Sequence, residues 1–117
     1  MLATHLHEER PWGAFDTLVM NTPCTVKMLW VSAGERFSLQ RHQKRTEYWK
    51  VIEGDGILRL GENERSVAIG DEVEIPQGML HRLTGGDKGI RVLEISTGEF
   101  DENDIERLED DYGRTGP

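Results

Sequence analysis

Short runs of alternating apolar and polar residues recur along the chain, separated by Gly, Pro and Asp. Alternation with a period of two turns one face of a strand to a core and the other to water. The pattern predicts strands over 14–20, 24–31, 36–42, 46–53, 56–60, 65–69, 72–75, 80–84 and 90–96. Turn signals fall at Ala33-Gly34, Gly54-Asp55-Gly56, Gly61-Glu62-Asn63, Gly70-Asp71, Pro76-Gln77-Gly78 and Gly85-Gly86-Asp87. Many short strands at spacings near ten residues predict an all-β sandwich or small barrel. Residues 101–109, DENDIERLE, break this rhythm and predict one short C-terminal helix, capped by Asp101, with early acids suited to the positive end of its dipole. No repeat, linker or low-complexity tract divides the chain. It reads as one domain over 1–117, with 1–9 flexible and 99–117 an acidic C-terminal segment.

At 117 residues the chain can bury a core without disulfide staples. Its single cysteine, Cys24, excludes an internal disulfide and a Cys-rich metal site, and reads as a small, semi-buried apolar residue. No apolar run approaches the roughly 20 residues of a membrane helix, and MLATHLHEER lacks the apolar stretch of a signal peptide. The expectation is a cytoplasmic protein with no membrane partner. A net charge of −8 argues against nucleic acid. Eight acids and two arginines in 99–117 carry −6 of that charge. Against this background, Arg36, Arg41, Lys44, Arg45 and Lys50 face Glu47 alone within 36–50. Such a basic segment suits a small anionic ligand, a phosphate or carboxylate. It equally suits an edge strand whose charges block pairing.

Gln40 and His42 are two apart on a predicted strand and share a face with Ser38. A turn over Lys44-Arg45 returns the chain, so Glu47 on the next strand can meet them. Gly70-x5-Pro76-x-Gly78-x2-His81 brings His81 from a second hairpin. Two imidazoles, a carboxylate and an amide oxygen make a borderline N/O donor set for a divalent transition metal. With only Glu47 charged, positions remain for solvent or substrate.

The two segments resemble the paired motifs of the cupin superfamily. Gly34-x5-Gln40-x-His42-x4-Glu47-x6-Gly54 parallels G-x5-H-x-H-x4-E-x6-G, with Gln40 in place of the first histidine. The second segment parallels G-x5-P-x-G-x2-H, with Gly85 where a terminal Asn is usual. The resemblance implies a double-stranded β-helix, or jelly roll, with the metal inside its mouth. A narrower resemblance, to the cupin domain of type II mannose-6-phosphate isomerases, spans roughly residues 10–114. It rests on Arg10-Pro11-Trp12-Gly13, on Ser38-Leu39-Gln40-x-His42-x2-Arg45-x-Glu47-x-Trp49, and on Ile75-Pro76-x-Gly78-x2-His81-Arg82-Leu83. Its closing part is Glu94-Ile95-x2-Gly98, Asp104-Ile105-x-Arg107 and Asp110-x-Tyr112-Gly113-Arg114. Gln40 belongs to that narrower pattern. His42-Gln43-Lys44-Arg45, Glu47-Tyr48-Trp49, Gly85 and Ser96 depart from the histidine-rich core, EHW, Asn and Gln common there.

The resemblance implies interconversion of mannose 6-phosphate and fructose 6-phosphate. The expected ligands are Gln40, His42, Glu47 and His81, holding one divalent ion: zinc first, with cobalt, manganese, nickel, iron and magnesium as alternatives. Arg45 is the first candidate for the sugar phosphate and a catalytic candidate, with Lys44, Ser38 and Arg82 as further substrate contacts. Alternation points Arg82 away from His81, toward the C-terminal acids. Glu94 is the candidate base, with a structural carboxylate as the other reading, and Glu47 could serve instead only if loosely ligated. Trp12 is expected to anchor the N-terminal segment or else to line the ligand cavity, Trp30 and Trp49 to be core or interface aromatics, and His5 and His7 to lie in a mobile terminus. Asp110, Tyr112 and Arg114 either latch the tail to the barrel or close over the substrate. A homodimer is expected from the fold, and no guanylyltransferase activity from this chain alone. The competing readings are a non-catalytic sugar- or sugar-nucleotide-binding cupin and another small-molecule cupin enzyme.

Overall fold

Two long strands organise the molecule: β5 (Arg45–Leu60) and β8 (His81–Gly98), antiparallel along their whole length. The computed structural model describes residues 5–115. The remaining strands are β1 (Leu6–Arg10), β2 (Gly13–Thr17), β3 (Cys24–Val31), β4 (Leu39–Arg41), β6 (Asn63–Ala68), β7 (Glu72–Ile75) and β9 (Glu106–Glu109). No helix occurs among the described residues, so none is long and apolar enough to cross a membrane.

Gly54-Asp55-Gly56 and Gly85-Gly86-Asp87, which the sequence marks as turns, lie inside these long strands. The pairing shifts between Val51 and Glu53 and between Gly54 and Gly56. Gly54 has φ +76, and a Cβ there would sit 2.1 Å from the Gly89 carbonyl oxygen. Only glycine lets the two strands approach closely enough to bend together. The bend folds one hydrogen-bonded sheet over on itself, which is the jelly roll. The first half of β5 lies between β7 and the second half of β8, whose other neighbour is β3. The second half of β5 lies between β6 and the first half of β8, followed by β4 and β9.

Both layers contribute to the core: Trp49, Val51, Val73, Ile75, Ile90 and Val92 from the first, Leu58, Val67 and Leu83 from the second. Each comes from the inward set of an alternating strand.

The expected C-terminal helix is absent. Its start signal is nevertheless used: Asp101 accepts the Asn103 N–H at 2.9 Å, and its carbonyl accepts the Asp104 N–H at 3.0 Å. The turn is not continued. The Asp104 carboxylate instead accepts the N–H groups of Gln43 and Lys44, both at 2.9 Å. Residues 106–109 then pair with the open edge of β4, where Arg41 meets Glu106 in an ion pair. An isolated nine-residue helix is marginal in water, so a strand edge and charged partners prevail.

Residues 1–4 of the expected flexible terminus, and 116–117 of the acidic segment, lie outside the described residues. Residues 6–10 are strand β1, paired with β2. His5 is buried edge-on against Tyr48 at 4.6 Å, and His7 is bound by Asp16 and Glu9 at 2.6 and 2.7 Å. Trp12 does not anchor the hairpin to the barrel: it is 73% exposed and stacks only on Phe15 within the hairpin. Trp49 is core, whereas Trp30 is half exposed under Arg91, and Cys24 is exposed rather than semi-buried.

Candidate metal centre and its cavity

β4 places Gln40 opposite His81 of β8, so both side chains leave on the inner face. His42 follows β4, and its main chain is tied to the second motif by the Gly78 N–H, which donates to the His42 carbonyl at 2.7 Å. The positive φ of Gly78 makes that turn possible. Glu47 enters from the other layer, on the inner face of β5.

The two imidazoles are held in one orientation. His42 Nδ1 lies 2.7 Å from the Asp104 carbonyl, and His81 Nδ1 lies 3.0 Å from the Met79 carbonyl. A carbonyl can only accept, so both Nδ1 atoms carry the proton and both Nε2 lone pairs face inward. They lie 3.7 Å (His42) and 3.3 Å (His81) from Glu47 Oε1. Two ligands bonded at ~2.1 Å to one tetrahedral ion stand ~3.4 Å apart. The observed separations fit that chord. His81 Nε2 and Glu47 Oε1 are fully buried without a hydrogen-bond partner, an arrangement that costs free energy unless something else joins them. His42, Glu47 and His81 together could hold a metal ion.

Gln40 stands beside this group. Its Oε1 accepts from Ser38 Oγ at 2.6 Å, and its Nε2 lies 3.3 Å from His42 Nε2. Turning the amide over exchanges oxygen and nitrogen, and a serine hydroxyl can accept as well as donate. The position can therefore offer an oxygen.

Burial, outweighing the other influences, lowers the His42 pKa and favours the neutral, ligating imidazole. Glu47 and Glu94 are neighbouring buried carboxyls whose affinities for the proton are driven apart. Burial pushes Glu47 up, but His81, Glu94 and His42 beside it hold it well down. Burial and the Glu47 charge push Glu94 well up. Glu94 Oε2 accepts the Trp49 indole N–H at 2.9 Å, which fixes its direction.

A cavity of about 300 Å³ opens beside these residues. Arg45 lines it, donating to His42 Nε2 and to the Asp101 carbonyl, both at 3.2 Å, with its guanidinium over the Phe100 ring. Lys27, Arg107 and Arg114 line it too, as does Glu102, whose carboxylate lies 3.9 Å from the Lys27 ammonium. Lys27 stands opposite Glu94 in the β3–β8 register, and its ammonium lies 4.3 Å from the other partner of that stack, Phe100. Arg107 stands opposite Gln40, and its Nε is buried without a hydrogen-bond partner.

Gln40, His42, Glu47 and His81 are thus brought to one place, with Glu94 and Arg45 beside them. Ser38 lies one step behind, acting on Gln40. Lys44 and Arg82 are not brought to the cavity: the Lys44 ammonium lies 3.9 Å from Glu99, and Arg82 binds the Phe37 carbonyl and Glu109. Lys27 and Phe100 escape a reading of the sequence, and Arg107 is read as helical. Lys27 carries one usable signal, a charge between apolar residues on a strand. Its inward direction is invisible there because Val26, Met28 and Trp30, its apolar neighbours, face out.

Residues 1–110 match the family described as mannose-6-phosphate isomerase C-terminal. The chain belongs to this family. Among relatives, a xanthan biosynthesis protein XanB of Xanthomonas campestris is 37% identical over 113 residues, covering 95% of this chain and 24% of that protein. An alginate biosynthesis protein AlgA of Pseudomonas putida is 37% identical over 113 residues, 95% of this chain and 23% of that protein. A mannose-1-phosphate guanylyltransferase ManC of Salmonella typhimurium is 32% identical over 114 residues, 94% of this chain and 24% of that protein. The chain spans about a quarter of the length of these curated relatives. Among solved structures, oxalate decarboxylase of Bacillus subtilis superposes with a TM-score of 0.68 at 22% identity, over 80% of this chain and 26% of that one. A cupin protein of Bacteroides fragilis superposes with 0.62 at 18% identity, over 71% and 75%. These likenesses establish the cupin fold of this family member.

Proposed function

We propose that this cupin domain of the mannose-6-phosphate isomerase type interconverts mannose 6-phosphate and fructose 6-phosphate with a divalent ion held by Gln40, His42, Glu47 and His81. The observation that carries the reading is the convergence of His42 Nε2, His81 Nε2 and Glu47 Oε1 beside a cavity lined by four cationic side chains. The ion, when bound, would supply Lewis acidity toward the carbonyl and neighbouring hydroxyl oxygens of the sugar. Zinc suits the borderline donor set best.

The chain's own groups do the rest. Glu94 takes the proton from C2 of the open-chain aldose and returns it at C1, while the hydroxyl proton passes from O2 to O1, so no oxidant or reductant is needed. A carboxyl with a raised pKa, held by the Trp49 N–H, both accepts and returns that proton near neutral pH. Arg45 and Arg107 offer positive charge where the sugar phosphate would lie, joined by Lys27 and Arg114, which are paired with Glu102 and Asp110. Phe37, Leu29 and Trp49 line the same cavity and limit water around the reacting carbons.

The test is a coupled assay on mannose 6-phosphate with metal-stripped protein resupplied in turn with zinc, cobalt, manganese, nickel, iron and magnesium. The His42→Ala variant runs beside it. Turnover that requires metal and disappears in the variant is expected. Absence of turnover with every metal, in folded protein that binds the ion, would favour a sugar-binding cupin without catalysis.

A further inference from the structure

The chain beyond β9 is folded back on itself. The Asp110 carboxylate accepts the N–H of Arg114 at 2.7 Å and the N–H of Tyr112 at 3.3 Å. It also accepts Arg114 Nε at 2.7 Å and Nη2 at 3.2 Å. Gly113, with φ +77, supplies the reversal that makes this turn possible. Arg114 ends the turn with its guanidinium 5.6 Å from the Tyr112 ring, and it lines the cavity of the candidate centre.

Two contacts tie this turn to the loop between β3 and β4. Arg36 donates Nε and Nη2 to the two oxygens of Asp111 at 2.8 and 2.9 Å. The Tyr112 hydroxyl donates to Glu35 Oε2 at 2.7 Å. The loop is itself pinned to β8. The Gly34 N–H donates to the Gly85 carbonyl at 3.1 Å, and the Gly85 N–H to the Glu35 carbonyl at 2.9 Å. A Cβ on Gly85 would lie 2.3 Å from the Ser32 carbonyl oxygen, so the close approach requires glycine there. Exposed ion pairs usually contribute little. This one is bidentate, the geometry in which arginine and carboxylate bind best. The contacts also span 75 and 77 residues, so they set where the tail lies rather than reinforce a local turn.

We propose that Arg36–Asp111 and Glu35–Tyr112 form a clamp that positions Arg114 at the mouth of the centre, where Nη1, the guanidinium nitrogen that Asp110 does not engage, meets the anionic group of the substrate. Arg36 and Glu35 are then positioning residues for phosphate recognition, acting through the tail. The inference rests on the isomerase reading for its substrate. Because the phosphate end of the sugar is remote from C1 and C2, losing the clamp raises KM more than it lowers kcat.

The test compares the metal-loaded full chain with Arg36→Asp and with the charge-swapped Arg36→Asp/Asp111→Arg. Metal content, KM and kcat for mannose 6-phosphate, and hydrogen exchange of the 110–114 amides are read on each. The single variant is expected to raise KM about tenfold, the equivalent of one charge-assisted contact. Its kcat and metal content should stay near those of the unaltered chain, and the tail amides should exchange faster. The double variant should recover both KM and protection. An unchanged KM in an active Arg36→Asp protein would overturn the proposal, as would a double variant no better than the single. Absence of turnover in the unaltered chain overturns the isomerase reading instead. The clamp is then judged by exchange alone: unchanged protection in Arg36→Asp overturns it, and loss that the swap restores supports it.

Discussion

Glu94 and Glu47 show how one cavity gives two carboxyls opposite affinities for the proton. They lie side by side on neighbouring strands, Glu47 facing two imidazoles and Glu94 facing an indole N–H. Like charges so close cannot both ionise freely, so Glu47 is held down while burial and the Glu47 charge push Glu94 up. Glu94→Gln keeps the shape and removes the proposed proton carrier. The expected result is a kcat lower by a factor on the order of 10² to 10⁴, with metal content unchanged. Loss of metal in parallel with activity would instead assign Glu94 a structural role. At the tail, Asp110 makes a second residue-level prediction. Arg114 above all, with the Tyr112 and Arg114 N–H groups, holds its carboxyl down at about 2. A value lower in the fold than in the unfolded chain means stabilisation that is present above the ordinary 3.8 and lost as pH falls through the folded value. The Asp110 carboxyl carbon resonance should therefore keep its ionised shift at pH 3.8 and titrate near 2. A midpoint at the ordinary value would contradict the turn.

At the scale of elements, the glycines inside β5 and β8 decide the architecture. Gly54→Ala must place a methyl 2.1 Å from the Gly89 oxygen at a positive φ. A loss of about 3 kcal/mol, and of roughly 10 °C or more in Tm, is expected. A change within a degree would show that the paired bend is not under steric control. The alternating runs reveal most strands and the all-β class, because the period-2 signal is local. They do not reveal that Gly54-Asp55-Gly56 and Gly85-Gly86-Asp87 are bends within continuous strands, since a glycine cluster looks the same in a hairpin and in a paired bulge. β9 is hidden for a different reason: DENDIERLE has a genuine cap at Asp101, and only the edge of β4 and Arg41 turn it into a strand. The candidate centre divides the same way. Gln40, His42, Glu47 and His81 follow from spacing within two motifs. Lys27 and Arg107 depend on which strand lies beside which, and on a β3 whose apolar alternants face outward.

At the scale of the whole molecule, those outward residues carry a prediction of their own. Val26, Met28 and Trp30 are each about half exposed on β3, which pairs with β8 alone among the described strands. Leu6, Trp12 and Phe15 are exposed on the β1–β2 hairpin. The radius of gyration is 15.0 Å, against about 13 Å for a compact chain of this length. An apolar edge and an outlying hairpin suit burial against a second copy of the chain. Light scattering should give a dimer at micromolar concentration and a monomer for Met28→Glu, while a monomeric unaltered chain would contradict that assembly. In the interior, two imidazoles held by the Asp104 and Met79 carbonyls aim at one carboxylate oxygen beside a cavity that Arg45 and Arg107 line, and there the proposed ion would bind. This is tested most directly by titrating metal-stripped protein with zinc while bound metal and turnover of mannose 6-phosphate are read on the same samples. Both are expected to rise together and saturate at one ion per chain. Turnover without bound metal, or full occupancy without turnover, would contradict it.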